Sequence, residues 1–140
     1  MFGRIVGTGS YTPANTMDNN DLSKIVETND EWIRERTGIV KRHISTEDTT
    51  ASMAIKAAKA AIDDANVDPE EIDVIIVSSV SPNTLCPSIS CQVQSEIGAV
   101  NAFAFDMNAA CTGFLFAFHN VQNMIMAGTI KTALVIGSEC

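Results

Sequence analysis

Basic residues, aromatic residues and long apolar runs are all scarce in this sequence of 140 residues. Nine Lys and Arg stand against 17 Asp and Glu, which gives a formal net charge of −8 at pH 7. Because a nucleic-acid-binding surface collects Lys and Arg, we expect no nucleic-acid partner. No run reaches the ~18 consecutive apolar residues that a membrane-spanning helix needs. We therefore expect no membrane association and a cytoplasmic location.

Sequence patterns that bind metals are also lacking. The chain has four cysteines and two histidines. They are Cys86, Cys91, Cys111, Cys140, His43 and His119. No two cysteines form a C-x-x-C pair, and neither histidine stands at a ligand spacing from a cysteine. We expect no metal site, and thiols that stay reduced.

Apolar residues make up 46% of the chain and fall in alternating strand-like and helix-like runs. The patterns predict strands at residues 3–9, 42–44, 74–80, 101–107 and 132–137. They predict helices at residues 19–26, 28–38, 49–66, 88–96 and 112–126, with a further helical turn at 69–71. Strands that alternate with helices predict an α/β fold, with helices on both faces of a mostly parallel sheet.

Two of these runs carry the most information. The run at 74–80 is β-branched almost throughout, as in a parallel strand that is covered on both faces. In the helix at 49–66, small residues recur at helical spacing and form one stripe. The stripe consists of Ala54, Ala57, Ala58, Ala61 and Ala65, with Ile62 beside it. We expect it to pack closely against a partner surface.

Helix start signals set the predicted boundaries. Thr28 and Glu31 have the spacing of a capping box that opens the second predicted helix, and Gly38 closes that helix. Either Thr49 or Thr50 caps the third predicted helix.

Cys111 falls where the fourth predicted strand ends and the last predicted helix begins. Backbone N–H groups and the positive end of the helix dipole favour a thiolate there. Ala109, Ala110 and Gly113 are small, so the backbone can turn sharply and a substrate can approach the sulfur. The pattern is typical of a nucleophile, although the residues alone leave open an inert buried cysteine.

Neither histidine offers support to this thiol. His119 lies eight residues beyond Cys111, which is ~12 Å along a helix that rises 1.5 Å per residue. That distance is too long for a hydrogen bond, so we expect an ordinary structural or surface histidine. His43 has no supporting context either.

A second candidate site combines Trp32, the one tryptophan, with Thr28 and Arg36. Spacing of four residues places all three on one face of a helix. An indole and a guanidinium can both stack on a base, and Arg also pairs with phosphate. The alternative is structural: Trp32 covers the edge of the core. Arg36 would then pair with Glu35 or Asp30.

Seven motifs follow one another in an order that closely resembles the β-ketoacyl-acyl carrier protein synthase III family. They are GTGSY at 7–11, DEWI at 30–33, RTGI at 36–39, PS at 87–88, CQ at 91–92, AFDMNAACTGF at 104–114 and ALVIGS at 133–138. The resemblance runs from residue 3 to residue 140. Members of this family are condensing enzymes of the thiolase superfamily that start type II fatty-acid synthesis.

The resemblance implies both a fold and a reaction. The fold is one half of a thiolase-type layered α/β structure, so residues 1–140 are expected to be the N-terminal half-domain, with the C-terminal half absent. We expect a fragment, a split gene or an incomplete chain. The implied reaction joins an acyl-CoA primer to malonyl-acyl carrier protein with loss of carbon dioxide. It needs no cofactor, since acyl-CoA is a substrate, and the implied assembly is a homodimer.

The resemblance also assigns roles. It makes Cys111 the acyl-accepting nucleophile, puts Trp32 beside the adenine of coenzyme A, and puts Thr28 within hydrogen-bonding reach, with Arg36 toward the phosphates. Cys86 stands where many relatives have a phenylalanine that closes the acyl pocket of the neighbouring subunit. The catalytic His and Asn of the family belong to the second half.

Two other functions stay open. One is a related condensing enzyme of polyketide or other secondary metabolism, which would share Cys111 and the fold. The other, if the chain is complete, is a non-catalytic half that serves as a dimerisation or assembly surface.

Overall fold

The structure is a computed structural model that describes residues 2–140. The chain divides into two compact units. The sheet unit comprises the N-terminal segment through Tyr11 together with Thr49–Cys140, and the small unit is Thr12–Asp48.

Helices and strands alternate along the sheet unit, whereas two helices lie between the two strands of the small unit. The small unit contains β1 (Thr16–Asp18), α1 (Asn19–Leu22), α2 (Asp30–Thr37) and β2 (Lys41–His43). The sheet unit contains α3 (Thr50–Ala65), β3 (Val74–Ser78), α4 (Ile89–Ile97), β4 (Phe103–Met107), α5 (Gly113–Met126) and β5 (Ala133–Gly137). Two 3₁₀ turns, Pro69–Glu71 and Ala110–Thr112, also belong to the sheet unit.

The sheet unit is built on a parallel sheet with the strand order β4-β3-β5. Val74 of β3 lies opposite Phe103 of β4 and Ala133 of β5. Every residue of β3 is buried. The prediction of a covered parallel strand is confirmed, although β3 ends at Ser78 rather than at residue 80.

Side chains of successive β3 residues point to opposite faces of the sheet, so β3 contributes to two cores. Ile75 and Val77 pack with residues of α3 and α4. Val74 and Ile76 pack with residues of α5. Helices therefore cover both faces of the sheet, and the predicted α/β fold class is confirmed.

The prediction of a strand at residues 3–9 is wrong. The segment belongs to no sheet and has no regular secondary structure. Its backbone bonds to side chains instead. The Gly3 N–H donates to the Gln122 amide oxygen, and the Gly3 carbonyl accepts from the Gln122 amide nitrogen. The Thr8 N–H donates to Asp64 at 2.8 Å. A groove of about 1150 Å³ is lined by residues of this segment and of β5, among others. A strand requires hydrogen bonds to a neighbouring strand, and an apolar sequence pattern does not reveal whether such a neighbour exists.

The small-residue stripe of α3 does pack closely against another segment. Ala57, Ala61 and Ala65 line that groove, and the backbone of α3 lies directly against Gly7 and Gly9. A Cβ at Gly7 would lie 2.6 Å from the backbone nitrogen of Ala65. Only glycine allows so close an approach.

Of the two predicted helix caps, that of α2 is wrong and that of α3 is confirmed as one of its two alternatives. The cap of α2 is Asn29, whose side chain accepts from the Trp32 N–H at 2.8 Å, and not Thr28. An Asn carbonyl at this position competes successfully with the Thr–Glu capping box. The cap of α3 is Thr49, which forms a capping box with Ser52.

The small unit is held by a polar cluster that the sequence pattern did not reveal. Asn19 is 1% exposed, and its side chain makes three hydrogen bonds. Its amide donates to Asp30 at 2.7 Å and to the Ile39 carbonyl at 2.8 Å, and its oxygen accepts from Arg42 at 2.6 Å. Asn19 thereby joins the start of α2 to β2. The antiparallel pair of β1 and β2 was predicted only in part, since β1 was missed.

Candidate active site

A sharp turn joins β4 to α5 and carries Cys111. The 3₁₀ turn Ala110–Thr112 fills it, and α5 begins at Gly113. Ala110 has a φ of 46°, in the left-handed region that costs a residue with a Cβ about 1 kcal/mol or more. Cys111 is exposed and not part of a disulfide. Its predicted position between strand and helix is confirmed, with the residue on a one-turn 3₁₀ helix just ahead of α5.

The start of α5 packs directly on the end of the central strand. A Cβ at Gly113 would collide with Oγ of Ser78, the last residue of β3. Gly113 therefore lets α5 begin against β3, which puts Cys111 near the carboxyl end of the parallel sheet. Open α/β sheets bind their ligands at that end.

The N-terminus of α5 has no side-chain cap. The hydroxyl of Thr112, its N-cap residue, donates instead to the Ala109 carbonyl at 2.8 Å. The Thr112 N–H donates to the same carbonyl at 3.2 Å. Helix N-termini attract negative charge through their N–H groups and dipole. This end of α5 is therefore suited to a thiolate or an oxyanion.

Asp106 fixes the strand that leads into the turn. Its two carboxylate oxygens accept the N–H groups of Ile89 and Ser90, each at 2.8 Å. Both residues are 0% exposed, so the carboxylate satisfies N–H groups that bulk water does not reach. The Ser79 N–H donates to the Met107 carbonyl at 3.1 Å and adds a bond from the loop after β3. Sequence reasoning missed Asp106, although an acidic residue inside an apolar strand was the available signal.

Cys86 lies on the loop that leads into α4. It is exposed, and its neighbour Leu85 is 92% exposed. The Pro87 carbonyl accepts from the Thr84 hydroxyl at 3.0 Å and from the Gln92 amide at 3.2 Å. The end of the loop is therefore fixed to α4, and Cys86 presents its side chain to the outside of the sheet unit.

The small unit brings together the residues of the second candidate site. The Arg36 guanidinium lies 4.6 Å from the centroid of the Trp32 ring. Trp32 is 51% exposed, so it does not simply cover a core edge. Thr28 and Trp32 line one cavity of about 600 Å³, together with Val26 and other residues of the small unit. An exposed indole beside a cation and a cavity can accept a flat aromatic ring.

The structural alternative for Arg36 is only partly realised. Arg36 lies 4.0 Å from Glu35, and both side chains are more than half exposed, so this ion pair is weak. Asp30 instead binds Arg34 at 2.6 Å. Hydrogen bonds from Arg34 and Asn19 hold the pKa of Asp30 below its ordinary value of 3.8. The guanidinium of Arg36 is thus left at the indole.

The two histidines lie apart from this chemistry. His119 is exposed on α5. Nδ1 of His43 donates to the Pro13 carbonyl at 2.6 Å. Across residues 2–140, no three His, Cys, Asp or Glu side chains are grouped so that they could hold a metal ion. In the same part of the chain, no helix is long and apolar enough to cross a membrane.

The covered parallel sheet and the cysteine turn define the class of this protein. The chain belongs to the family described as the thiolase N-terminal domain, whose family model matches residues 33–140. The thiolase-like fold expected from the resemblance is thereby confirmed.

Within that class, two relatives of the chain share one name. The chain is 54% identical over 135 residues to beta-ketoacyl-[acyl-carrier-protein] synthase III of Clostridium acetobutylicum, covering 96% of this chain and 42% of that protein. It is 51% identical over 138 residues to the protein of the same name from Lactococcus lactis, covering 99% of this chain and 42% of that protein. The predicted resemblance is confirmed, and the chain spans less than half the length of these relatives.

Solved structures agree. The 3-oxoacyl-[acyl-carrier-protein] synthase III of Aquifex aeolicus matches with a TM-score of 0.95 and 47% identity, covering 97% of this chain and 44% of that one. The priming β-ketosynthase of the R1128 polyketide pathway matches with a TM-score of 0.93 and 34% identity, covering 99% of this chain and 42% of that one.

Proposed function

We propose that this chain supplies the nucleophile and part of the coenzyme A site of a β-ketoacyl-acyl carrier protein synthase III. The observation that carries the proposal is Cys111, exposed on a strained turn at the N-terminus of α5. High identity to synthases of that name along almost the whole chain supports it.

The first half-reaction is a thioester exchange. The Cys111 thiolate attacks the carbonyl carbon of an acyl-CoA, and the developing oxyanion lies near the N-terminus of α5. The bond from carbon to the coenzyme sulfur then breaks. Coenzyme A leaves as its thiolate and takes up a proton, and the acyl group stays on Cys111 as a thioester.

The small unit supplies contacts for the coenzyme. Trp32 stacks on the adenine, Arg36 pairs with a phosphate, and Thr28 donates a hydrogen bond at the same cavity. The exposed indole with its adjacent guanidinium supports this assignment, because both groups bind flat rings and Arg also pairs with phosphate.

The second half-reaction needs malonyl-acyl carrier protein. Its loss of carbon dioxide generates an enolate that attacks the acyl group on Cys111, and donors must stabilise that enolate. The family uses a His and an Asn of the C-terminal half for this step. We expect no β-ketoacyl product when this chain alone is incubated with acetyl-CoA and malonyl-acyl carrier protein. Product formed by the chain alone would contradict this expectation.

Cys86 sets the depth of the acyl pocket in this proposal. A cysteine is much smaller than the phenylalanine found in many relatives, so the pocket of the neighbouring subunit should admit longer or branched primers. In the complete synthase, Cys86→Phe should restrict use to acetyl-CoA. If native Cys86 already gives acetyl-CoA a tenfold or greater advantage over butyryl-, isobutyryl- and octanoyl-CoA, the idea fails.

The proposed assembly is a cytoplasmic homodimer, with the loop at 81–87 and the start of α4 at the contact. The exposed side chain of Leu85 supports a contact here, since an apolar side chain 92% exposed gains by burial.

A condensing enzyme of polyketide synthesis is the second candidate. The match to the R1128 priming ketosynthase supports it. The complete enzyme, assayed with fatty-acid and polyketide carrier proteins in turn, separates the two by which carrier accepts the acyl group.

Release of coenzyme A tests the first half-reaction. Mixing the chain with acetyl-CoA should release one equivalent of free coenzyme A per chain, and Cys111→Ala should abolish it. Cys91→Ala, which removes another exposed thiol, should not. Undiminished release by Cys111→Ala would remove Cys111 from the proposal, and no release by the native chain would favour a non-catalytic, assembly role.

A further inference from the structure

The turn at Cys111 is strained, and something must hold it. Ala110 adopts a φ of 46°, which a residue with a Cβ leaves unless its flanks are fixed. On the downstream side, the Thr112 hydroxyl and N–H both donate to the Ala109 carbonyl. The upstream side is β4, and its last residues determine the direction in which the chain enters the turn.

Asp106 is the strongest side-chain anchor on that upstream side. It lies opposite Val77 in the sheet register, on the face that packs against α3 and α4. Its carboxylate accepts two N–H groups from the first turn of α4, those of Ile89 and Ser90. Hydrogen bonds from a helix N-terminus to a charged carboxylate are among the stronger ones in proteins.

We propose that Asp106 is a positioning residue for Cys111: by tying the end of β4 to the start of α4, it holds Ala110 in its left-handed conformation and so keeps the thiol at the N-terminus of α5. Asp106 does not touch the reacting atoms. The inference rests on the proposed function only in that the thiol is held ready for acyl transfer. The conformation of the turn itself does not depend on any substrate.

The chain offers a matched control in Asp73. Its carboxylate also accepts two adjacent backbone N–H groups, those of Lys131 and Thr132, at 2.6 and 3.0 Å. Asp73 directly precedes β3, at the amino end of the same sheet, whereas the Cys111 turn follows the carboxyl end. Asp106 accepts through both carboxylate oxygens and Asp73 through one, and in each case Asn removes the charge that strengthens the two bonds. Asp73→Asn and Asp106→Asn therefore weaken the same kind of anchor at opposite ends of the sheet.

The experiment measures how fast iodoacetamide alkylates each cysteine of this chain, and peptide mapping resolves the individual cysteines. All four thiols are exposed, and Cys140 lies outside the loop and helix that Asp106 contacts, so its alkylation rate serves as the reference in the same sample. In Asp106→Asn, the alkylation rate of Cys111 relative to that of Cys140 should fall about tenfold, as expected when a strained functional conformation relaxes. In Asp73→Asn, the relative rate should stay unchanged.

A second substitution separates positioning from simple loss of stability. Ala110→Gly removes the strain, because glycine adopts positive φ at little cost. The double variant Asp106→Asn with Ala110→Gly should therefore recover most of the relative reactivity of Cys111. Urea denaturation of the same variants shows whether each is folded under the conditions of alkylation, so that a recovery reports the conformation at residue 110 rather than stability.

Two results would overturn the proposal. One is an unchanged relative rate in Asp106→Asn, and the other is an equal loss in Asp73→Asn. Failure of the proposed function gives a different result. The native chain would release no coenzyme A from acetyl-CoA, while the Asp106 and Asp73 variants would still differ in alkylation as expected. That combination disproves acyl transfer and leaves the positioning role intact.

Discussion

At the level of single residues, Trp32 and Arg36 carry the most direct functional prediction. If their stacked pair binds adenine and phosphate, Trp32→Ala and Arg36→Ala should each weaken coenzyme A binding by about tenfold, the scale of a partly exposed cation–π or stacking contact. Arg34→Ala is the control, because Arg34 binds Asp30 on the same helix. Titration calorimetry with coenzyme A measures all three. Equal losses for Arg34 and Arg36 would indicate only the effect of charge.

Gly113 gives a second residue-scale prediction, on stability. Alanine normally favours a helix by ~1 kcal/mol over glycine, but at Gly113 its Cβ would meet Oγ of Ser78. Gly113→Ala should therefore lower the free energy of unfolding by ~1–3 kcal/mol, as overpacked core positions do. Urea denaturation checks the value. Because the collision involves Oγ, the penalty should shrink in a Ser78→Ala background. An identical penalty in both backgrounds would show that another contact is responsible.

At the scale of elements, local sequence patterns predicted a strand or helix correctly where all residues of the apolar run are buried alike. The β-branched run at 74–80 predicted β3, and the position of Cys111 between strand and helix was predicted from its neighbours. What failed depends on contacts distant in sequence. The segment at 3–9 has a strand pattern but no paired neighbour, and Asp106 acts on residues 16 and 17 positions away. No local pattern contains such partners.

Asp73 sets an element-scale prediction on pH dependence. Backbone hydrogen bonds from Thr132 and Lys131 hold its pKa below the ordinary value of 3.8. Because the folded-state pKa is lowered, the ionised group contributes fully to stability well above pH 3.8. That contribution is lost as the pH falls through the folded-state pKa.

Asp73→Asn should therefore be less stable than the native chain at neutral pH, and the difference should shrink below about pH 4. Urea midpoints measured across this range test the prediction. Curves for native and variant chains that stay parallel down to the lowest pH would show that ionisation of Asp73 does not contribute.

At the scale of the molecule, apolar surface is the main feature. The groove of about 1150 Å³ beside β5 is lined largely by apolar residues, and Phe2 and Ile5 at its edge are 81% and 70% exposed. Surfaces of this kind associate. We expect the isolated chain to self-associate as its concentration rises, observed by sedimentation velocity.

Two variants locate this surface. Ile5→Lys should reduce association, because Ile5 lines the groove. Ile25→Lys should not, since Ile25 is similarly exposed, at 67%, but belongs to the small unit. A chain that stays monomeric at all concentrations, or equal effects of the two variants, would show that the groove does not drive association.

The central claim is that Cys111 accepts an acyl group, and intact-protein mass spectrometry with peptide mapping tests it most directly. After incubation with acetyl-CoA, one acetyl group should appear on the peptide that carries Cys111, and hydroxylamine should remove it as it removes a thioester. An acetyl group on Cys86, Cys91 or Cys140 instead, or no adduct while the Cys111 thiol remains free, would contradict the account.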